Sequence, residues 1–210
     1  MEAQLRAGVR ALALEVSDAQ ITQLLDYAAL LQKWGRVYNL TAVRESGDVV
    51  THHLLDSLAV VGPLRRMVPS AGKLLDVGSG AGLPGVAIAI TWPDVRVDCV
   101  DAVAKKAAFV QQVAGALKLP NLRGVHSRVE SLPGTYDVVA SRAFASLADF
   151  VGLTDARVAE SGVWMAMKGK YPASEVAELP RKVAVFHVEQ LQVPGLAAER
   201  CLVWLRRAAA

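Results

Sequence analysis

Apolar positions in the first 70 residues recur at helical spacing. Ser17-Asp18-Ala19-Gln20 reads as a capping box, with Ser17 as N-cap and Gln20 three positions on. Ile21, Leu24, Leu25, Ala28, Leu31 and Trp34 then mark one buried helix face, which Gly35 is expected to end. Val37-Tyr38-Asn39-Leu40-Thr41 leads into a turn expected near Glu45-Ser46-Gly47. A further helix carries Val49, Val50, His53, Leu54, Ser57, Leu58 and Val61 and is expected to stop at Gly62-Pro63. Pro69-Ser70-Ala71-Gly72 breaks the chain, and from Lys73 onward the pattern changes to short apolar runs. Strands are predicted over Leu74–Val77, Val95–Val100, Leu122–His126, Tyr136–Ala140, Val163–Met167, Val183–Gln190 and Cys201–Arg206. Helix-length segments between the first five imply right-handed crossovers and a parallel sheet. The last two are joined only through a loop with Pro194-Gly195, so the final strand is expected to run antiparallel. The predicted class is α/β: a doubly wound, mostly parallel sheet over 71–210, with an N-terminal helical extension over 1–70.

One stretch breaks the apolar pattern. Leu74-Leu75-Asp76-Val77-Gly78-Ser79-Gly80-Ala81-Gly82-Leu83-Pro84-Gly85 runs from a strand through alternating glycines into the apolar Val86 to Ile90. Glycines serve where the backbone turns sharply or approaches a ligand closely, and each weakens a turn that needs fewer. The helix that follows offers free N–H groups and the positive end of its dipole to the loop. A polar, nucleotide-like cofactor is therefore expected there. Gly80-x-Gly82-x-x-Gly85 satisfies the dinucleotide fingerprint, whereas Gly78-x-Gly80-x-Gly82 behind Asp76 satisfies the Asp-x-Gly-x-Gly-x-Gly pattern of S-adenosylmethionine-dependent methyltransferases.

The later strand ends carry the remaining candidates. Asp101 ends the second strand, where a carboxylate accepts hydrogen bonds from ribose hydroxyls; it also suits an N-cap for the segment at Val103. Ser127-Arg128-Val129-Glu130 follows the third strand, where methyltransferase folds approach the adenine, although a solvated loop fits the same spacing. Arg142, in Ser141-Arg142-Ala143-Phe144, offers a rigid fork of donors for a carboxylate or phosphate. Lys168, in Lys168-Gly169-Lys170, is placed to meet an anionic substrate. His52 and His53 are adjacent, share no helix face and lack an i, i+4 partner, so each reads as a satisfied helix histidine and no metal site is expected.

Composition adds bounds. The 210 residues suit one domain with an appendage; 53% are hydrophobic, yet no run approaches the roughly 20 residues of a membrane span. Met1-Glu2-Ala3-Gln4 opens no export signal, and Cys99 and Cys201 sit in apolar runs without metal-ligand spacing. A cytoplasmic location with no membrane partner is the expectation. A net charge of +3 and a pI near 9.0 permit a nucleic-acid partner without demanding one.

Taken together, Lys33-Trp34, Tyr38-Asn39-Leu40-Thr41-Ala42, His53-Leu54-Leu55-Asp56-Ser57-Leu58, the glycine loop, Ser127–Glu130, Ser141-Arg142-Ala143-Phe144-Ala145-Ser146-Leu147 and Lys168-Gly169 carry a resemblance. Over nearly its whole length the chain resembles the bacterial 16S ribosomal RNA guanine-N7 methyltransferases, the glucose-inhibited division protein B family. The resemblance implies S-adenosylmethionine as methyl donor, with S-adenosylhomocysteine as product, and one guanine of 16S ribosomal RNA in the small ribosomal subunit as acceptor. It implies that Gly78, Leu83, Val129, Glu130 and Arg142 contact the cofactor; Gly80 and Asp101 join them from the residue reading above. Arg10, Lys33, Arg36, Arg44, Lys168 and Lys170 are candidates for RNA phosphates, with Arg36 and Lys168 as the substrate residues. Trp34 and Tyr38 have the chemistry to stack on a base, but the helical register of Trp34 favours the core. No catalytic base is assigned, and a monomer is expected. The rival readings are an NAD-linked oxidoreductase and a non-catalytic ribosome- or RNA-binding module.

Overall fold

The computed structural model describes residues 1–38 and 46–208, with the side chains at 36–38, 46 and 47 outside that description. The Asn39-Leu40-Thr41 segment, Arg44, the turn position Glu45 and the side chains of Arg36 and Tyr38 therefore lie outside the described residues. The chain opens with α1 (Glu2–Ala11) and α2 (Asp18–Tyr38). The capping box forms as expected: Ser17 N–H donates to Gln20 Oε1 (2.9 Å) and Gln20 N–H to Ser17 Oγ (3.2 Å). Gly35 does not end α2, which continues to Tyr38. A single helical glycine costs only about 1 kcal/mol. The Trp34 ring packs 5.4 Å from that of Phe109, as a core residue would.

The second expected helix is broken into pieces. After α3 (Ser46–Val49), Val50–Leu55 form a π-helical turn, followed by α4 (Asp56–Leu58) and α5 (Val61–Met67). Gly62 and Pro63 fall in the first turn of α5 instead of ending a helix. Proline is tolerated there because first-turn N–H groups have no intrahelical acceptor to lose.

The sheet contains β1 (Lys73–Val77), β2 (Arg96–Asp101), β3 (Leu122–His126), β4 (Tyr136–Arg142), β5 (Val158–Lys168), β6 (Val183–Leu191) and β7 (Arg200–Arg207). Its order is β3-β2-β1-β4-β5-β7-β6. The pairs among β1 to β5 are parallel, and β7 inserts antiparallel between β5 and β6. All seven expected strands form, with β5 starting earlier than expected: Tyr136 pairs with Val158 but Val138 with Val163. Crossovers are made by α6 (Gly85–Thr91), α7 (Ala104–Ala116) and α8 (Leu147–Thr154); α9 (Ala173–Ala177) lies between β5 and β6. The expected helix between β3 and β4 is absent, and a single 3-10 turn, Val129–Ser131, takes its place.

Alternation along the strands divides the core into two layers. Leu74, Val97 and Val138 face a cluster that includes α6, α7 and apolar residues of α1, α2 and α5. Leu75, Val77 and Val139 face the opposite side, under α8. No helix among the described residues is long and apolar enough to cross a membrane.

Helix and strand approach closely at Gly124 of β3, where a Cβ would lie 2.3 Å from Ala107 O and 2.8 Å from Gln111 N, both backbone atoms of α7. Gly124→Ala is therefore expected to lower stability by about 1–3 kcal/mol. The urea unfolding midpoint measures this, and an unchanged midpoint contradicts the close packing.

Candidate functional site

The loop after β1 is held by hydrogen bonds that its glycines make possible. Gly78, Gly80 and Gly82 have φ of 62°, 58° and 89°. Ser79 O accepts from Gly82 N–H (2.8 Å) and Leu83 N–H (3.1 Å). At the loop's end, Gly85 N–H donates 2.8 Å to Asp76 Oδ2. A Cβ on Gly85 would sit 2.4 Å from Cys99 Sγ and 2.8 Å from that carboxylate oxygen, so glycine is required there for packing. Asp76 Oδ1 and Ser79 Oγ are buried without a hydrogen-bond partner. Burial lifts the Asp76 carboxyl from 3.8 to about 7, with Asp101 adding to the rise and the Gly85 N–H and Arg142 opposing it.

Asp101 meets the N-cap part of its sequence reading and also ties down the glycine loop. Its Oδ2 accepts from Gly80 N–H (3.0 Å), its Oδ1 from Val103 N–H at the start of α7 (2.8 Å), and Lys106 Nζ lies 3.7 Å away.

Two clefts open at the carboxyl edge of the sheet, where doubly wound folds place ligands. The larger, of about 500 Å³, is lined by Gly78, Gly80, Leu83, Arg142, Lys168 and the π-turn residue His53, among others. The smaller, of about 200 Å³, is lined by Asp101, Val129, Glu130 and Phe144. Gly78 borders both. Every cofactor residue expected from sequence therefore lines one of the two. Ala143 (φ 51°), a non-glycine residue in the left-handed region just past β4, lets the residues on either side of it serve different clefts, Arg142 the larger and Phe144 the smaller. Such a conformation costs about 1–2 kcal/mol.

The larger cleft contains charges that the sequence reading did not place. Asp56, almost fully buried, accepts from Arg142 Nη1 (3.1 Å) on one oxygen and from Arg200 Nε (2.8 Å) on the other. A carboxylate at the head of α4 thus ties together arginines from β4 and β7. A buried acid in the apolar run Leu54-Leu55-Asp56-Ser57-Leu58 is the signal that a cation must be near, although the run does not say which. Lys168 is also engaged, with Nζ donating to Ala145 O (3.0 Å) and Glu175 Oε2 (2.7 Å).

His53 corrects the expectation of a satisfied helix histidine: both ring nitrogens are buried and lack a hydrogen-bond partner. Burial, reinforced by Arg142, lowers its basicity, so the ring is neutral near pH 7. The π turn permits this arrangement by turning His52, His53 and Asp56 towards one cleft. His52 lies 3.9 Å from Asp48. No cluster of metal-ligating residues occurs among the described residues.

A family model described as rRNA small subunit methyltransferase G matches residues 20–203. A Polaromonas sp. (strain JS666 / ATCC BAA-500) protein named Ribosomal RNA small subunit methyltransferase G is 63% identical over 210 residues, covering 98% of this chain and 93% of its own. The protein of that name from Acidovorax ebreus (strain TPSY) is 61% identical over 215 residues, covering 98% and 95%. Among solved structures, Burkholderia thailandensis 1,6-didemethyltoxoflavin-N1-methyltransferase, with S-adenosylhomocysteine bound, aligns with a TM-score of 0.60 at 16% identity, over 88% of this chain and 90% of that one. Magnesium protoporphyrin IX methyltransferase from Synechocystis PCC 6803, with S-adenosylmethionine bound, aligns with a TM-score of 0.59 at 15% identity, over 91% and 98%. At these identities the structural likeness is one of fold, the Rossmann-like methyltransferase sheet.

The Asp76 carboxyl makes stability depend on pH. Because its folded pKa is raised above 3.8 to about 7, the folded state binds more protons across that interval. The stability from this group is full at low pH and is lost as pH rises from about 4 to about 7. Urea midpoints at about pH 5 and about pH 8 measure the loss. Asp76→Asn, which keeps an acceptor for Gly85 N–H, should shrink the difference between them; an undiminished difference contradicts the assignment.

Proposed function

The chain belongs to the rRNA small subunit methyltransferase G family, and we propose that it transfers a methyl group from S-adenosylmethionine to N7 of one guanine in 16S ribosomal RNA. Family membership sets aside the NAD-linked reading of Gly80-x-Gly82-x-x-Gly85. The observation that carries the proposal is the meeting of two clefts at Gly78 on a positive-φ glycine loop.

The residues present suit the cofactor. A Cβ at Gly80 would meet nothing within 4 Å, so the open face of the loop has room for a ligand. The smaller cleft would hold the nucleoside portion, with Asp101 accepting from ribose and Val129 and Glu130 beside the base. Gly78, Gly80, Leu83 and Arg142 would hold the remainder from the larger cleft. When bound, S-adenosylmethionine supplies a methyl group on a positively charged sulfur.

The walls have little proton chemistry to perform. Guanine N7 carries an in-plane lone pair, so the acceptor need lose no proton before it reacts. The Asp56 carboxylate is occupied by two arginines, and the His53 ring nitrogens are buried. The work left to these residues is to orient the acceptor and keep water from the reacting atoms, and orientation is a large source of rate enhancement. Lys168 has used two of its three donor hydrogens and keeps one for an RNA phosphate. Arg36 is proposed as a second RNA contact, and residues 1–70 as a helical cap on the methyltransferase domain.

Small ribosomal subunits lacking their natural N7 methylation, supplied with radiolabelled S-adenosylmethionine, are expected to take up label that nuclease digestion recovers as 7-methylguanosine at one site. Label recovered as any other nucleoside, or no transfer to subunits or free RNA, contradicts the assignment.

A further inference from the structure

A side chain from outside the sheet and its crossovers also holds the glycine loop. The phenol of Tyr27, fully buried on α2, donates 2.7 Å to the carbonyl of Ala81. Ala81 lies between Gly80 and Gly82, both at positive φ and both able to adopt many conformations. The peptide unit joining Ala81 to Gly82 is held at both ends, its carbonyl by Tyr27 and its N–H by Ser79 O. Gly80 N–H is fixed by Asp101 and Gly85 N–H by Asp76. Without the phenol, the Ala81–Gly82 unit keeps only its local tie to Ser79, in a segment whose glycines put little barrier in the way of rotation.

The bond is part of a row along α2. Gln20 Nε2 donates to Ile90 O near the end of α6 (2.8 Å), and Gln23 Nε2 to Leu117 O at the end of α7 (2.9 Å). Positions 20, 23 and 27 share one helix face, so α2 is laid across both crossover helices and the loop in one register. The two glutamines meet helix ends, whereas Tyr27 alone reaches the loop that borders the larger cleft. Burial pushes the phenol well above its ordinary titration range, so it stays a donor near neutral pH.

We propose that Tyr27 is a positioning residue for the cofactor loop, through which the seating of α2 sets how tightly the loop holds its ligand. The inference rests on the assignment of S-adenosylmethionine to this loop, and the test separates the two. Tyr27→Phe keeps the ring and removes only the donor; Gln23→Leu breaks a neighbouring α2 contact that does not touch the loop. Amide exchange is followed by NMR on the ligand-free protein, and S-adenosylhomocysteine affinity by calorimetry well below melting.

In Tyr27→Phe, the Gly82 and Leu83 amides are expected to exchange about tenfold faster or more, with β1 amides unchanged, and affinity to fall about five- to tenfold. Gln23→Leu should lower the melting temperature while leaving both readouts at wild-type values. Unchanged loop exchange in Tyr27→Phe overturns the inference, as does uniformly faster exchange through β1 and the loop, the mark of a merely structural role. Unchanged affinity alongside faster loop exchange also overturns it. Failure of the wild-type protein to bind S-adenosylhomocysteine overturns the cofactor assignment and, with it, the claim that Tyr27 governs a ligand.

Discussion

The buried hydrogen bond from Gly85 N–H to the Asp76 carboxylate is the constraint on which the site depends. It joins the end of β1 to the first residue of α6 and so fixes both ends of the glycine loop. Asp76 lies in register with Cys99 of β2 and Ala140 of β4, in the strand where the sheet changes winding direction. At such a point successive crossovers leave in opposite directions and open a crevice at the carboxyl edge. The bond has a cost: the carboxyl is removed from water with its other oxygen unsatisfied, and its raised pKa records that strain on the charged form. A chain that tolerates this at the centre of its sheet gains a glycine loop held in a fixed conformation.

Much of this was legible in the sequence because it is local. The change of apolar spacing at Lys73 marks the sheet, and the Pro194-Gly195 loop marks the antiparallel β7. Alternating glycines after Asp76, and acidic or basic residues at strand ends, mark the cleft walls, because a strand's carboxyl end is where the next loop must begin. The errors were local as well. Gly35 and Gly62-Pro63 read as stops, but packing of Trp34 on Phe109 carries α2 onward, and a first-turn proline lets α5 continue through the second signal. A helix between β3 and β4 was expected from the length of the segment, and a single 3-10 turn fills it.

What the sequence hid is long-range. Asp56 and Arg200 are 144 positions apart and meet only after β7 has inserted between β5 and β6. Tyr27 and Ala81 are 54 apart, and Tyr27 reads simply as a residue of a mostly apolar helix. His53 looked ordinary because helical spacing explains its burial but gives no account of its partners. In each case the helical region supplies a polar group to the cleft or loop, so α2, the π turn and α4 shape the site. This is also where a family of methyltransferases on a common sheet has room to differ, since function resides in what is built onto the fold.

In the proposed function one ligand would lie across both clefts, passing Gly78. A Cβ at that position would sit 2.3 Å from the Phe144 ring and carry a left-handed backbone, so the ring and the loop must shift where the two clefts meet. The most direct measurement is calorimetric binding of S-adenosylhomocysteine to wild-type protein and Gly78→Ala, each shown to be folded by circular dichroism. Tight binding to the wild type is expected, with a loss of at least about a hundredfold in the variant, equivalent to about 2.8 kcal/mol. Equal affinity in the two proteins would contradict it.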